Sequence, residues 1–216
     1  DVVCKGCAAM KNPVRRRAFY TLMRCIAALA LCTAFSLAVL LPAGRARVVT
    51  VGGVAAVMQL PGKLARGSEL PLAVLCGPGE KFAPLAAALA RRGVACVRLD
   101  EDVTADETAA VTAHMQTAYG TGRVVLAAYG KAGAMACGYP GPVGGVAALL
   151  LREPEGADGA ALREAGLPVL LVYEDVPQTA PARAELTAAV LSLPDGQVMQ
   201  GDDVDAIAET LCRYLM

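Results

Sequence analysis

The chain has 216 residues, 56% of them hydrophobic and 4% aromatic, and a formal net charge of zero. That length suffices for one domain with a full core and one additional segment. Residues 48–216 carry twelve Lys or Arg against nineteen Asp or Glu, a balance of minus seven, so this part offers no broad basic surface for phosphates and nucleic acid is excluded as a partner.

Residues 1–24 form a basic segment, with Lys5, Lys11, Arg15, Arg16, Arg17 and Arg24 against the single acid Asp1. Within it "CKGC", Cys4 to Cys7, has the spacing of a redox pair or half a zinc site. No second pair and no nearby His completes a tetrahedral set, so no metal is expected and incidental or lipid-modified cysteine is the preferred reading. Residues 25–44, "CIAALALCTAFSLAVLLPAG", then run twenty residues without a charge, about the length a helix needs to cross a bilayer. A buried core helix would show a polar stripe, and only Thr33 and Ser36 offer one. A cleaved signal peptide ending near Gly44 to Ala46 and an organelle presequence are the competing readings; the presence of these residues in the chain favours a retained single-pass anchor. Only Arg45 and Arg47 follow closely, so the positive-inside rule puts the N-terminus on the cytoplasm-like side.

From residue 45 to 216, β-rich runs alternate with Ala-rich stretches. Strands are predicted at 47–53, 54–60, 70–76, 94–99, 123–129, 146–151, 168–174 and 196–200, most of them apolar throughout, as strands covered on both faces are. Helices are predicted at about 81–92, 104–119, 131–138, 179–192 and 202–215, the last with Val204, Ile207, Leu211 and Leu215 at helical spacing. Cys76, Cys96, Cys137 and Cys212 sit in apolar contexts and read as small buried hydrophobes. "REPEGADGA", 152–160, reads as one exposed acidic loop. The expected class is α/β, with a mainly parallel sheet flanked by helices and preceded by one transmembrane helix.

The stretch "LPLAVLCGPGEKFAPLAAALARRGVACVRLDED", 70–102, together with "AYGKAG", 128–133, resembles the α/β-hydrolase superfamily, particularly small lid-less esterases and dienelactone-hydrolase-like members. The resemblance implies a nucleophile elbow Gly-x-Ser-x-Gly between a strand and a helix, followed in chain order by an acid and a His. Here Ala128 stands for the first Gly, Gly130 for the Ser and Ala132 for the last Gly. Cys76 stands where the oxyanion loop commonly carries His, before Gly77 and Gly79. The acid position after "PVLLVY" is kept by Glu174 and Asp175. The His expected near "MQGDDVD" is missing; the only histidine, His114, lies inside a predicted helix. Lys131, Cys137 and Tyr129 are the side chains near the elbow that could substitute.

On residue type, then, the elbow and acid positions are remnants and the chain is expected to be no enzyme and to need no cofactor. The function expected is that of a membrane-anchored accessory subunit of a larger membrane protein complex, in a thylakoid or mitochondrial inner membrane, with the lipid bilayer and neighbouring subunits as partners. The alternative is a membrane-bound esterase or thioesterase with an unconventional site. The missing side chain at 130 also leaves room for a small-molecule pocket over the elbow.

Overall fold

Eight apolar runs become the eight strands of a single sheet in the computed structural model, which describes residues 45–62, 69–139, 145–174 and 181–215, all within the unit Ala43–Met216. The strands are β1 (Arg47–Val51), β2 (Val54–Gln59), β3 (Leu70–Cys76), β4 (Ala95–Leu99), β5 (Thr121–Tyr129), β6 (Val146–Arg152), β7 (Val169–Tyr173) and β8 (Gln197–Gln200). Their order is β1-β2-β4-β3-β5-β6-β7-β8. β2 runs antiparallel to β1 and β4, and every other pairing is parallel.

The helices are α1 (Gly79–Arg91), α2 (Ala105–Tyr119), α3 (Ala132–Cys137), α4 (Gly159–Ala165), α5 (Pro181–Leu191) and α6 (Val204–Leu215). They cover both faces. On one face Leu72, Val74, Leu126, Leu149 and Leu171 pack against Val111 and Met115 of α2, Leu162 of α4 and Val190 of α5. On the other, Ala73, Leu75, Val125, Leu150 and Val172 pack against Phe82, Leu85 and Leu89 of α1 and Ile207, Leu211 and Leu215 of α6. Alternate residues of one strand thus enter opposite cores, which is why these strands read as unbroken apolar runs.

Two differences from the sequence expectation matter for the site. The stretch 152–160 is not one exposed loop: Arg152 ends β6 and is 1% exposed, and Gly159 opens α4. An arginine closing an apolar strand can be enclosed when carboxylates meet it, and the Asp158 side chain caps the short helix by accepting from the Ala160 amide at 2.8 Å. The predicted span 25–44, the basic segment 1–24 and Asp175 lie outside the described residues. Among the described residues no helix is long and apolar enough to cross a membrane.

The helix predicted from 104 begins there for a local reason. Thr104 Oγ1 accepts from the Glu107 amide at 3.2 Å while a Glu107 carboxylate oxygen accepts from the Thr104 amide at 2.9 Å, a reciprocal cap. Thr104→Ala is expected to lower stability by about 1 kcal/mol, seen as a lower urea midpoint at unchanged slope.

Candidate functional site

From β3 the chain crosses to β4 on one side and, after α2, to β5 on the other, so the carboxyl ends of β3 and β5 border a topological switch point. In open α/β sheets such a crevice is where ligands bind. Cys76 and Ala128 are paired in register at this edge, and Tyr129 and Gly130 follow at the rim.

Gly130 makes the turn from β5 into α3 with φ 57°, a left-handed conformation that glycine adopts without steric cost. Its amide donates to the Arg152 carbonyl at 3.1 Å, and its own carbonyl accepts from Gly133 at 3.0 Å and Glu155 at 2.8 Å. Among the described residues, a methyl group at 130 would meet only Glu155 Oε1, at 4.0 Å. The flanking Ala128 and Ala132 are buried, as the small positions of a tight elbow require.

Beside this turn lies a cluster of charges. The Arg152 guanidinium, enclosed at the end of β6, donates to Glu174 at 2.9 Å and to Asp202, and its other amino group reaches the Lys81 carbonyl at 3.3 Å. Lys81, from the first turn of α1, donates to the second oxygen of Glu174 at 2.8 Å. Its ammonium stands 5.3 Å from the centroid of Tyr129, whose ring meets Phe82 edge-on at 6.4 Å. The bonds to Glu174 and Tyr129 push the Lys81 pKa up, so its charge persists at neutral pH and the amine is not a nucleophile.

Glu174 therefore occupies the predicted acid position, but it holds cations rather than an imidazole. Asp202, from the "MQGDDVD" stretch where the His was expected, closes the same cluster. His114 is exposed on α2. It lies six residues beyond Thr108, the residue whose hydroxyl approaches Cys76 Sγ at 4.0 Å, and hence roughly 9 Å further along the helix from this edge.

The remaining candidates fall out on chemistry. Cys76 is fully buried, and burial outweighs its bond with Thr108 to push the thiol up to about 12; burial likewise pushes Cys137 up to about 11. Neither supplies a thiolate at neutral pH. Lys131 is exposed where α3 begins. The Gly77 amide donates to the Leu99 carbonyl at 3.1 Å, so this part of the oxyanion loop is occupied by the sheet edge. Gly79 accepts from Arg98 at 2.8 Å, and a cleft runs past Gly77, Gly79, Arg98 and Leu99 to Ala56 and Val57 of β2, beside the elbow rather than over it. Among the described residues no group of His, Cys, Asp and Glu side chains is arranged to hold a metal ion.

This strand order, with its lone antiparallel β2 inside the sheet and its left-handed turn after β5, is decisive. The fold is that of the α/β-hydrolases. Its solved relatives include a dienelactone hydrolase from Anabaena variabilis, at 17% identity and TM-score 0.57, matching 80% of this chain and 96% of that one. The esterase domain of a Rhodothermus marinus protein matches at 15% and 0.58, over 79% and 97%. A membrane phospholipase A described as a bacterial virulence factor matches at 14% and 0.53, over 93% and 97%. No protein-family model and no curated protein matches the sequence.

These relatives correct the expectation that the chain is no enzyme, because they are hydrolases and esterases in name and share its α/β-hydrolase architecture. Gly130 carries no hydroxyl at the turn, so attack at that point would come from another group. The residues missed in the sequence were Lys81, Arg152, Asp202 and Glu155. Their common signal was position just after a predicted strand, at the end of the sheet where α/β sites form.

Two outcomes follow from the cluster and the thiols. Glu174→Gln leaves the enclosed guanidinium short of a carboxylate and is expected to cost about 3 kcal/mol in chemical denaturation. The folded Cys76 and Cys137 hold their protons above the ordinary value of 9.0, so the unfolded chain releases protons first and stability falls as pH rises past that value. Urea midpoints at pH 8, 9 and 10 should decline beyond 9, by roughly 1.4 kcal/mol per pH unit for each thiol.

Proposed function

We propose that the chain is a membrane-bound hydrolase of carboxylic esters or thioesters in which water, rather than a side chain of the protein, attacks the acyl carbon. The observation that carries this reading is the open left-handed turn at Gly130 beside a lastingly charged Lys81. In this fold the turn marks where the acyl carbon is attacked. With no hydroxyl there, space for a water replaces the nucleophile.

Lys81 supplies the electrostatic half of the chemistry. Its side chain is 39% exposed and can face a substrate, whereas Arg152 at 1% is enclosed by its carboxylates. A fixed ammonium near the acyl oxygen stabilises the negative charge that develops there in the tetrahedral transition state. The cleft past Gly77, Leu99 and Val57, edged by Arg98 and Asp100, offers the rest of a substrate a place on the β2–β4 side of the same sheet edge. The uncharged run 25–44 and the membrane phospholipase among the structural relatives support a membrane setting.

The test uses the full chain in detergent micelles with p-nitrophenyl butyrate and a short-chain acyl-coenzyme A thioester. Steady hydrolysis without an initial burst is expected, with no acyl adduct in the intact mass during turnover. Lys81→Ala should lower kcat roughly 100-fold. Failure of the folded chain to hydrolyse either class sinks the reading, and an acyl adduct on a side chain sinks the water route.

A further inference from the structure

Hydrolysis by water needs a base at the turn, and among the described residues the Glu155 carboxylate stands nearest to it. We infer that Glu155 is the general base that removes the proton from the attacking water, an inference that rests on the hydrolase reading above.

The segment after β6 folds back onto the elbow rather than out into solvent. The Arg152 carbonyl takes the Gly130 amide, and three residues later the Glu155 amide donates to the Gly130 carbonyl at 2.8 Å, so the two segments are bonded on both sides of the turn. Pro154 packs onto α3 so closely that a methyl group at Gly133 would lie 2.7 Å from its Cβ; only glycine permits the approach. Glu153 takes φ 41°, a left-handed conformation uncommon for a residue with a side chain. Its carboxylate is fixed by the Glu174 amide at 2.7 Å and by Arg183. Strain of this kind persists where the surroundings over-determine it, and such positions cluster at functional sites.

The result is a carboxylate oxygen 4.0 Å from where a Cβ at 130 would stand. A water on the Glu155 side of the volume that a serine hydroxyl fills in this fold comes within hydrogen-bond reach of that carboxylate. Glu174 and Asp202 are committed to Arg152 and Lys81, whereas Glu155 is exposed and, among the described residues, has no Lys or Arg within ion-pair distance.

The step balances without a further reactant. The water oxygen bonds to the acyl carbon as its proton passes to Glu155, and the carbonyl electron pair moves onto the acyl oxygen facing Lys81. When that pair returns, the bond to the alcohol oxygen or thiol sulfur breaks, and Glu155 gives its proton to the leaving group. Carboxylic acid and alcohol or thiol are released, and the carboxylate is restored.

Wild type, Glu155→Gln and Glu155→Ala would be compared as full chains in micelles with p-nitrophenyl butyrate. Both variants should lose about 100-fold or more in kcat with KM within roughly twofold, and added formate should restore part of the activity of Glu155→Ala but not of Glu155→Gln, whose amide fills the gap. The side chain is exposed, so thermal denaturation of the variants should match wild type. Hydrolysis by wild type with kcat unchanged in Glu155→Gln overturns the base and leaves the hydrolase reading standing. A kcat loss that formate does not rescue in Glu155→Ala also overturns the base. No hydrolysis by wild type overturns both.

Discussion

The site depends on one enclosed guanidinium. Arg152 is 1% exposed at the end of an otherwise apolar strand, and a charge so placed is tolerated only when carboxylates and hydrogen bonds surround it. Its partners arrive from elsewhere in the chain: Glu174 after β7, Asp202 before α6 and the Lys81 carbonyl from α1. Four elements are thereby drawn to one point at the edge of the sheet, and the Arg152 carbonyl also takes the amide of the elbow glycine. The guanidinium stands about 6 Å from the centroids of Phe82 and Tyr129, so those rings shield the cluster from water.

This arrangement differs from the catalytic triad usual in this fold. In a triad the acid orients an imidazole that activates a hydroxyl; here the acid position orients a lysine, and the imidazole position carries an aspartate that neutralises an arginine. Under the proposed hydrolase reading the attacking oxygen belongs to solvent, because Gly130 has no side chain to supply one.

Much of the architecture was legible because burial on both faces leaves an unbroken apolar signature. "LPLAVLC" predicted β3 to the residue, and the other strands fell within about two residues of their ends. α4 was hidden because "GAALREA" is short and follows an acidic, proline-containing turn, so propensity there points to a loop. The elbow could be found by residue order, since its shape needs small residues at fixed spacing. Arg152 could not, because arginine is ordinarily solvated and only its partners, up to 71 residues away, make enclosure possible. Glu155 was invisible for a related reason: its place over Gly130 comes from the docking of Pro154 onto α3, a contact between segments with no shared pattern. The expectation of an inert protein came from weighing the triad positions and the side chains nearest the elbow in sequence, whereas Lys81 and Glu155 reach the site from other segments.

The last helix carries a consequence for how the molecule is made. α6 packs on α1, and Arg92 binds Asp205 across that contact at 2.9 Å, so the first helix after β3 waits for the final segment to complete its face of the core. Asp202 leads into that same segment. During synthesis from the N-terminus Arg152 is made fifty residues before Asp202, so the guanidinium lacks this carboxylate until the segment leading into α6 has followed. The charge cluster is thereby tied to the docking of α6 on α1: a change that loosens that helix also withdraws Asp202 from the guanidinium.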